Sequence, residues 1–400
     1  MTMRRAVGAA LVCCTALAPG AAAKTLHIYS SLPLQGASAL QTRDTVRGIR
    51  LALHEAGGKA GPFDIRYTSF DDSTRQAGNW DPATVAYNAR RAATDRATIL
   101  YIGEFNSGGS AISIPILNQA NVPQISPSNT YAGLTEKIKG TPPGDPQKYY
   151  PTGVRTFVRL QPDDRVQGAA LVTEMRADGC RKAGLANDHD SYGYMVAEQI
   201  HSAAHRLGLA TTADHGIDKT ASHFRGLARS LRRAGVDCFV FGGVTANGAV
   251  PLYRDVHAAL PHARLYGPDG ICESGFTKHV SRAVRVRFEC SVTNLRLDEY
   301  PGGDAFLASF AALFGRHNPD TYSIDGYEAM KLGLDTIAAL GADGDSREAV
   351  RKALFATRDR ASVLGTYSIE RTGDTTLRDY GIYRVTPKGI LRYDHKVVAG

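Results

Sequence analysis

The sequence predicts an α/β protein of two doubly wound parallel-sheet units, and three observations predict it. Apolar strands alternate with amphipathic helices from Leu26 to Ser126, the alternation stops at a proline-rich stretch and restarts beyond it, and several strands run into loops of glycine, hydroxyl and amide residues. Repeated β-α-β segments bury a parallel sheet between helices, and such sheets hold their ligand loops at the carboxyl ends of the strands. Four hundred residues exceed one ordinary domain, so two cores are the default.

The first unit opens with a strand at 26–32 (LHIYSSL), then a helix whose apolar face is Val46, Ile49, Leu53 and Ala56. A strand at 63–70, a helix around 85–93 and a strand at 98–103 follow. The loop 104–110 (EFNSGGS) leads into a helical segment through Asn118, then a strand at 122–126 and the loop 127–130 (PSNT). Residues 137–153 (KIKGTPPGDPQKYYPTG) hold four prolines and three glycines and read as no regular element. The second unit has a strand at 156–160, a helix near 166–175, a strand at 181–187, a helix with Val196, Ile200 and Leu207 on one face, and strands at 238–243 and 264–270. From Asp304 the helices lengthen. Phe306, Phe310 and Leu313 share one face, and Tyr327, Met330, Leu334 and Ile337 share another. A third helix at 347–355 is opened by Asp345, with Glu348 at capping-box spacing. Strands at 366–370 and 380–385 close the chain, and no repeat of 20–50 residues is visible.

Arg4 and Arg5, an apolar run over 6–18 and Ala21-Ala22-Ala23 have the order of a secretory leader, so residues 1–23 read as a signal peptide cut after Ala23. Cys13 and Cys14 lack the small residue expected before a lipid-bearing cysteine. Loss of Arg4 and Arg5 takes the formal net charge from +8 to +6, and the remaining basic residues are scattered. The run Arg282, Arg285, Arg287 is short and no nucleic-acid motif accompanies it, so no nucleic-acid partner is expected. Cys180, Cys238, Cys272 and Cys290 remain, an even number in an exported chain, which favours disulfides. Four cysteines allow three pairings; Cys180 and Cys238 open strands that neighbour each other in a doubly wound sheet, which favours that pair and leaves Cys272 with Cys290 by remainder.

Sequence signatures of common catalysts are missing. There is no G-x-S-x-G, no phosphate-binding G-x-x-x-x-G-K-[ST], no G-x-G-x-x-G opening a helix and no H-E-x-x-H. The expectation is a binding protein that is not an enzyme, without cofactor or metal. Glu198, His201 and His205 have helical spacing for a metal but no fourth ligand, and they read as a solvent face. Asn187-Asp188-His189-Asp190 reads as a polar rim loop. The loop 104–110 feeds a helix whose first N–H groups favour an anion, and Gly108 and Gly109 permit close approach, so Ser107 and Gly108 are placed on a ligand carboxylate. Ser128 by its carbonyl and Thr130 by its hydroxyl join from the adjacent strand. In the second unit Asp269 faces a cation, and Tyr192 lays its ring over a small ligand. Donors for a carboxylate on one unit and a carboxylate on the other describe a clamp for a zwitterion.

With these landmarks the chain resembles the leucine/isoleucine/valine-binding family of periplasmic solute-binding proteins of ABC importers. Arg47-Gly48-Ile49 with Leu53, residues 67–72, 103–110, 125–130 and 190–193, Gly242-Gly243, residues 267–270 and Gly365 carry the likeness, collinear over 24–400. The resemblance implies the type I periplasmic-binding-protein fold: lobe 1 from 24–160 and 295–372, lobe 2 from 161–294 and 373–400, three crossovers, and a ligand trapped on closure. It also implies a monomer delivering an amino acid or analogue to a membrane permease from the periplasm or outer face of the cell envelope. A sensor of the same fold for amides or small carboxylates is the second reading. By the resemblance Ser107 holds the carboxylate, Ser128 and Thr130 share the ligand's two charged ends, Tyr192 covers it, and Asp269 replaces the family's longer Glu at the ammonium. Gln41 and Val244 stand where aliphatic-amino-acid binders place aromatics, and Asn106 where the family's first-lobe disulfide has a cysteine. Residues 73–82, with Trp80, and 137–153 exceed the family pattern. Tyr149 and Tyr150 of the latter either reach the cleft mouth or pack the insert onto its own lobe.

Overall fold

A computed structural model describes residues 23–398, so the leader read over 1–23 lies almost wholly outside the described residues. The chain first lays down β1 (Thr25–Leu32), α1 (Ala39–Glu55), β2 (Phe63–Asp71), α2 (Pro82–Thr94), β3 (Thr98–Gly103), α3 (Ser107–Gln119), β4 (Gln124–Ser126) and β5 (Phe157–Arg159). These strands stand side by side in the order β2-β1-β3-β4-β5, all parallel, with residues 59–60 added antiparallel at the β2 edge. Both faces are covered. Ile28, Leu32, Leu100, Ile102 and Ile125 are fully buried, and β3, buried at every position, reads as a continuous apolar run for that reason. α2 begins where Asp81 accepts the Thr84 N–H at 2.9 Å and Pro82 fills the first turn.

The second unit follows as α4 (Asp164–Ala177), β6 (Lys182–Asn187), α5 (Ser191–Leu207), β7 (Ala210–Gly216), α6 (Arg225–Arg233), β8 (Cys238–Gly242), α7 (Val250–Ala259), β9 (Arg264–Gly267) and β10 (Phe288–Val292). The chain then returns to the first unit. α8 (Gly303–Phe314), α9 (Ser323–Ala339) and α10 (Arg347–Phe355) bury Phe306, Phe310, Ile324, Met330, Leu334, Ile337, Val350 and Leu354 in the core that holds Ile28, Ile49 and Leu100. Finally β11 (Asp379–Val385) and β12 (Leu391–Val398) complete a seven-stranded sheet ordered β7-β6-β8-β9-β10-β11-β12, whose last two strands are antiparallel. The chain therefore passes between the two sheets three times.

Two local expectations fail. Leu313 is 38% exposed, because the buried face of α8 is completed by Phe306 and Phe310 and turns Leu313 to water. The cap of α10 is Ser346, whose Oγ accepts from the Ala349 N–H at 3.3 Å, while Asp345 pairs with Lys24 and Glu348 with Lys352, each at 2.6 Å. A residue one position too early cannot reach the first-turn N–H groups.

The disulfides are Cys180–Cys238 and Cys272–Cys290, with Cα atoms 5.9 and 5.5 Å apart, and both lie in the second unit. Tyr149 and Tyr150 pack the 137–153 insert onto its own unit: they are buried with Ile114, Tyr131, Leu134 and Phe157, and the Tyr150 hydroxyl donates to the Leu134 carbonyl at 2.8 Å. Met195 from α5 closes that cluster, so the insert also abuts the second unit.

Candidate functional site

The carboxyl ends of the two sheets face each other across a cavity of about 30 Å³ lined by Ser38, Gln41, Phe105, Asn106, Ser107, Ser128, Thr130, Tyr192, Val244, Asp269, Gly270 and Tyr322. One ordered water needs about 10–15 Å³ on this scale, so the closed cleft is small. Ser107, Ser128, Thr130, Gln41, Tyr192, Val244 and Asp269 all meet there. Gly108 does not: a Cβ on it would stand 2.6 Å from the Trp80 ring, so this glycine lets the indole lie against the start of α3.

On the first unit the two loops are tied by hydrogen bonds. Asn129 Nδ2 donates to the Glu104 and Phe105 carbonyls at 3.1 and 2.9 Å, and Ser128 Oγ donates to the latter at 2.8 Å. Ser107 Oγ accepts the Tyr131 N–H at 3.3 Å. This rigid frame presents the N-terminus of α3, with no acidic residue in its first turn, to the cavity. Behind it Asp72 and Glu104 are both buried with no cation beside them. Burial first, then the Glu104 charge, pushes Asp72 well above the ordinary carboxylate range, and burial raises Glu104.

On the second unit Asp269 Oδ1 accepts from the Tyr192 hydroxyl and from Gln167 Nε2, both at 2.7 Å. Its Oδ2 accepts from the Tyr322 hydroxyl at 3.1 Å. Tyr322 precedes α9 and touches Phe105 edge to face at 5.0 Å, so this bond joins the two halves. Asp164, the first residue of α4, is fully buried opposite Thr130, and neither its carboxylate oxygens nor the Thr130 hydroxyl has a hydrogen bond of acceptable geometry. Burial pushes its carboxyl up to about 8, the Thr130 hydroxyl opposing and the Asp163 charge adding to the rise. No lysine or arginine lines the cavity. The nearby Arg159 is spent on Asp374, Tyr131 and Thr135.

The sequence reading missed Ser38, Phe105, Asn106, Gly270 and Tyr322 as lining residues, and Asp164 and Gln167 behind them. Asp163-Asp164 follows the strand at 156–160 as other site loops follow theirs, a signal obscured because that loop lacks glycine. Tyr322 has no local signal, since only tertiary packing brings it to Asp269.

The other candidate constellations are accounted for by the fold. His201 and His205 are exposed, and His201 Nδ1 pairs with the Thr211 hydroxyl at 2.8 Å. Asp188 and Asp190 both accept from Asn247 Nδ2, at 2.7 and 2.8 Å, and so pin two loops together. Among the described residues two carboxylate groups have ion-binding spacing, Glu136 with Asp163 and Asp374, and Glu174 with Asp178 and Glu289. Arginines already neutralise them: Arg165 and Arg159 at the first, Arg264 and Arg384 at the second.

No helix among the described residues is long and apolar enough to cross a membrane. An amino acid binding protein of Pseudomonas aeruginosa is 22% identical over 364 residues, 89% of each chain. The fold matches a leucine binding protein from Thermotoga maritima with a TM-score of 0.78 at 18% identity, covering 93% of this chain and 98% of that one. It also matches a solute binding protein of an ABC transporter from Rhodopseudomonas palustris in complex with p-hydroxybenzoic acid, with a TM-score of 0.77 at 14% identity over 94% and 98%. A periplasmic binding protein family profile matches residues 28–389, nearly the whole described chain, and with two such sheets closing on a polar cavity the chain belongs to the periplasmic binding protein family.

Proposed function

We propose that this protein is the extracytoplasmic solute-binding component of an ABC importer, exported by its leader, and that it captures a small amino acid by lobe closure and hands it to a membrane permease. It is a binding protein rather than an enzyme. The lobes are residues 24–160 with 295–372 and residues 161–294 with 373–400, and the three passages between them form the hinge. One observation carries the reading. Ser107 at the start of α3 and Asp269 at the end of β9 line the same small cavity from opposite halves, a donor site for a carboxylate facing an acceptor for an ammonium.

The relatives named above span an amino acid, leucine and p-hydroxybenzoic acid. Asp269 favours the amino acid here, because a ligand without a cation leaves it with no counter-charge beside the cavity. The test is calorimetry and thermal shift of the mature chain against amino acids, amides and aromatic carboxylates. A ligand at a hundred times its Kd stabilises by about 2.7 kcal/mol. Stabilisation by amino acids with no response to benzoates is the expected result. Response to benzoates alone overturns the reading.

A further inference from the structure

Glu273 is 2% exposed and neither carboxylate oxygen has a hydrogen-bond partner. It precedes the short helix Ser274–Thr277, yet its side chain does not cap that helix. Instead the carboxylate faces the hydroxyls of Thr245, whose Oγ1 is likewise unpartnered, and of Ser38 from the other lobe. Its strongest charged neighbour is another acid, Asp320. A buried carboxyl whose neighbouring donors are two hydroxyls that make no well-formed hydrogen bond to it is costly wherever it sits, and Ser38 and Asp320 of the other lobe stand against it. Ser38 lines the ligand cavity, with Gln41 beside it on α1, so this end of the cleft is polar and acid-backed.

Resting on the amino-acid reading above, we infer that Glu273 is a specificity-determining residue: through Ser38 it draws a donor on the ligand's side chain. The ligand is then a compact amino acid whose side chain carries an ammonium or amide N–H, not a branched aliphatic one. The ligand's own ammonium and carboxylate occupy the Asp269 and Ser107 ends, and the side chain turns toward Ser38. The small cavity agrees, since it limits the side chain to a few heavy atoms. A site built to accept a hydrogen bond rejects an isostere that cannot give one far more strongly than an apolar pocket rejects a wrong size.

Isosteric pairs test this by calorimetry on the mature chain: 2,3-diaminopropionate against 2-aminobutyrate, and asparagine against leucine. In each pair the N–H-bearing member is expected to bind at least tenfold tighter. Glu273→Gln brings the diaminopropionate ratio toward one while leaving the Kd for 2-aminobutyrate in place. Its melting temperature, recorded alongside, is expected to hold or rise, because burial already disfavours the ionised carboxyl and the amide fills the same space without a charge. Ser38→Ala, expected to lower the same ratio, carries the test if that variant does not fold. Aliphatic members binding as tightly as their partners, or Glu273→Gln weakening both members equally, overturns the inference alone. Failure of every amino acid to bind overturns the parent reading and this one with it.

Discussion

Asp269 accepts three hydrogen bonds within the protein, from Tyr192, Gln167 and Tyr322, yet meets no positive side chain. Its donors fix its orientation, and a ligand ammonium supplies the missing charge. Asp269→Asn removes that charge and sets an amide N–H against existing donors, so it is expected to cost about 3 kcal/mol of binding, roughly a hundredfold in Kd by calorimetry. An unchanged Kd moves the ammonium elsewhere. Asp164 gives a pH signature of opposite kind in the free and bound states. Its carboxyl stands at about 8 in the folded protein against 3.8 unfolded, so the folded chain holds a proton the unfolded chain has lost. The stability it contributes is complete below about pH 4 and is lost as pH rises through 8. An ammonium beside it favours the ionised form. The affinity for an amino acid is therefore expected to rise between roughly pH 6 and 8 while the melting temperature of the free protein falls. Asp164→Asn should flatten the affinity trend and lessen the melting-temperature trend, part of which remains because burial also lifts Glu273, Glu289 and Asp320 to about 7; an affinity slope that survives in the variant assigns it to another group.

Elements differ in how much of themselves they show in sequence. β3 and β8 lie between helices and are buried at every position, so they announce themselves as runs, whereas β1 mixes His27, Ser30 and Ser31 among its aliphatic residues. β7 is an edge strand with no buried residue and carries no apolar period, whereas α6 does carry one, Leu227, Ala228 and Leu231 lying at helical spacing among four arginines, but in only nine residues. The glycine-hydroxyl loops after β3 and β4 were legible because their residue types are costly anywhere but a turn or a site. Tyr322 and Asp164 were not, because their place at the site depends on how the lobes meet. The cysteines were legible as elements of one sheet, and that has a consequence. Cys180–Cys238 closes a separation of 58 residues and Cys272–Cys290 one of 18, and both staple the second unit alone. Loss of each is expected to cost about 3–4 kcal/mol. Trp80, the only tryptophan, reports on the first unit. Under reductant the far-UV circular-dichroism melt is expected to gain an early phase that tryptophan fluorescence does not follow. Coincident melts by both probes overturn this assignment of stability to units.

At the scale of the whole molecule, function depends on two halves meeting repeatedly along one seam. The passages between them are held at their own ends: the Tyr380 hydroxyl donates to the Pro162 carbonyl and the Tyr383 hydroxyl to the Asn294 carbonyl, both at 3.2 Å, and Asn294 Nδ2 donates to Asp325. Such a hinge leaves rigid-body rotation as the soft motion. The far rim of the seam has its own requirement. A Cβ on Gly275, in the short helix of the second unit, would lie 2.6 Å from the Ala37 carbonyl oxygen of the first. Backbone atoms cannot yield as a flexible side chain can, so the contact is relieved by parting the lobes. Gly275→Ala is therefore expected to weaken ligand affinity by about 1–3 kcal/mol, the usual cost of overpacking, although the residue does not line the cavity. Its melting temperature without ligand should change little, since an open cleft accommodates the methyl group. Small-angle scattering at saturating ligand separates the causes: a radius of gyration larger than that of the wild type shows closure arrested at the rim. A variant that closes fully and binds as tightly as the wild type removes Gly275 from the closing surface.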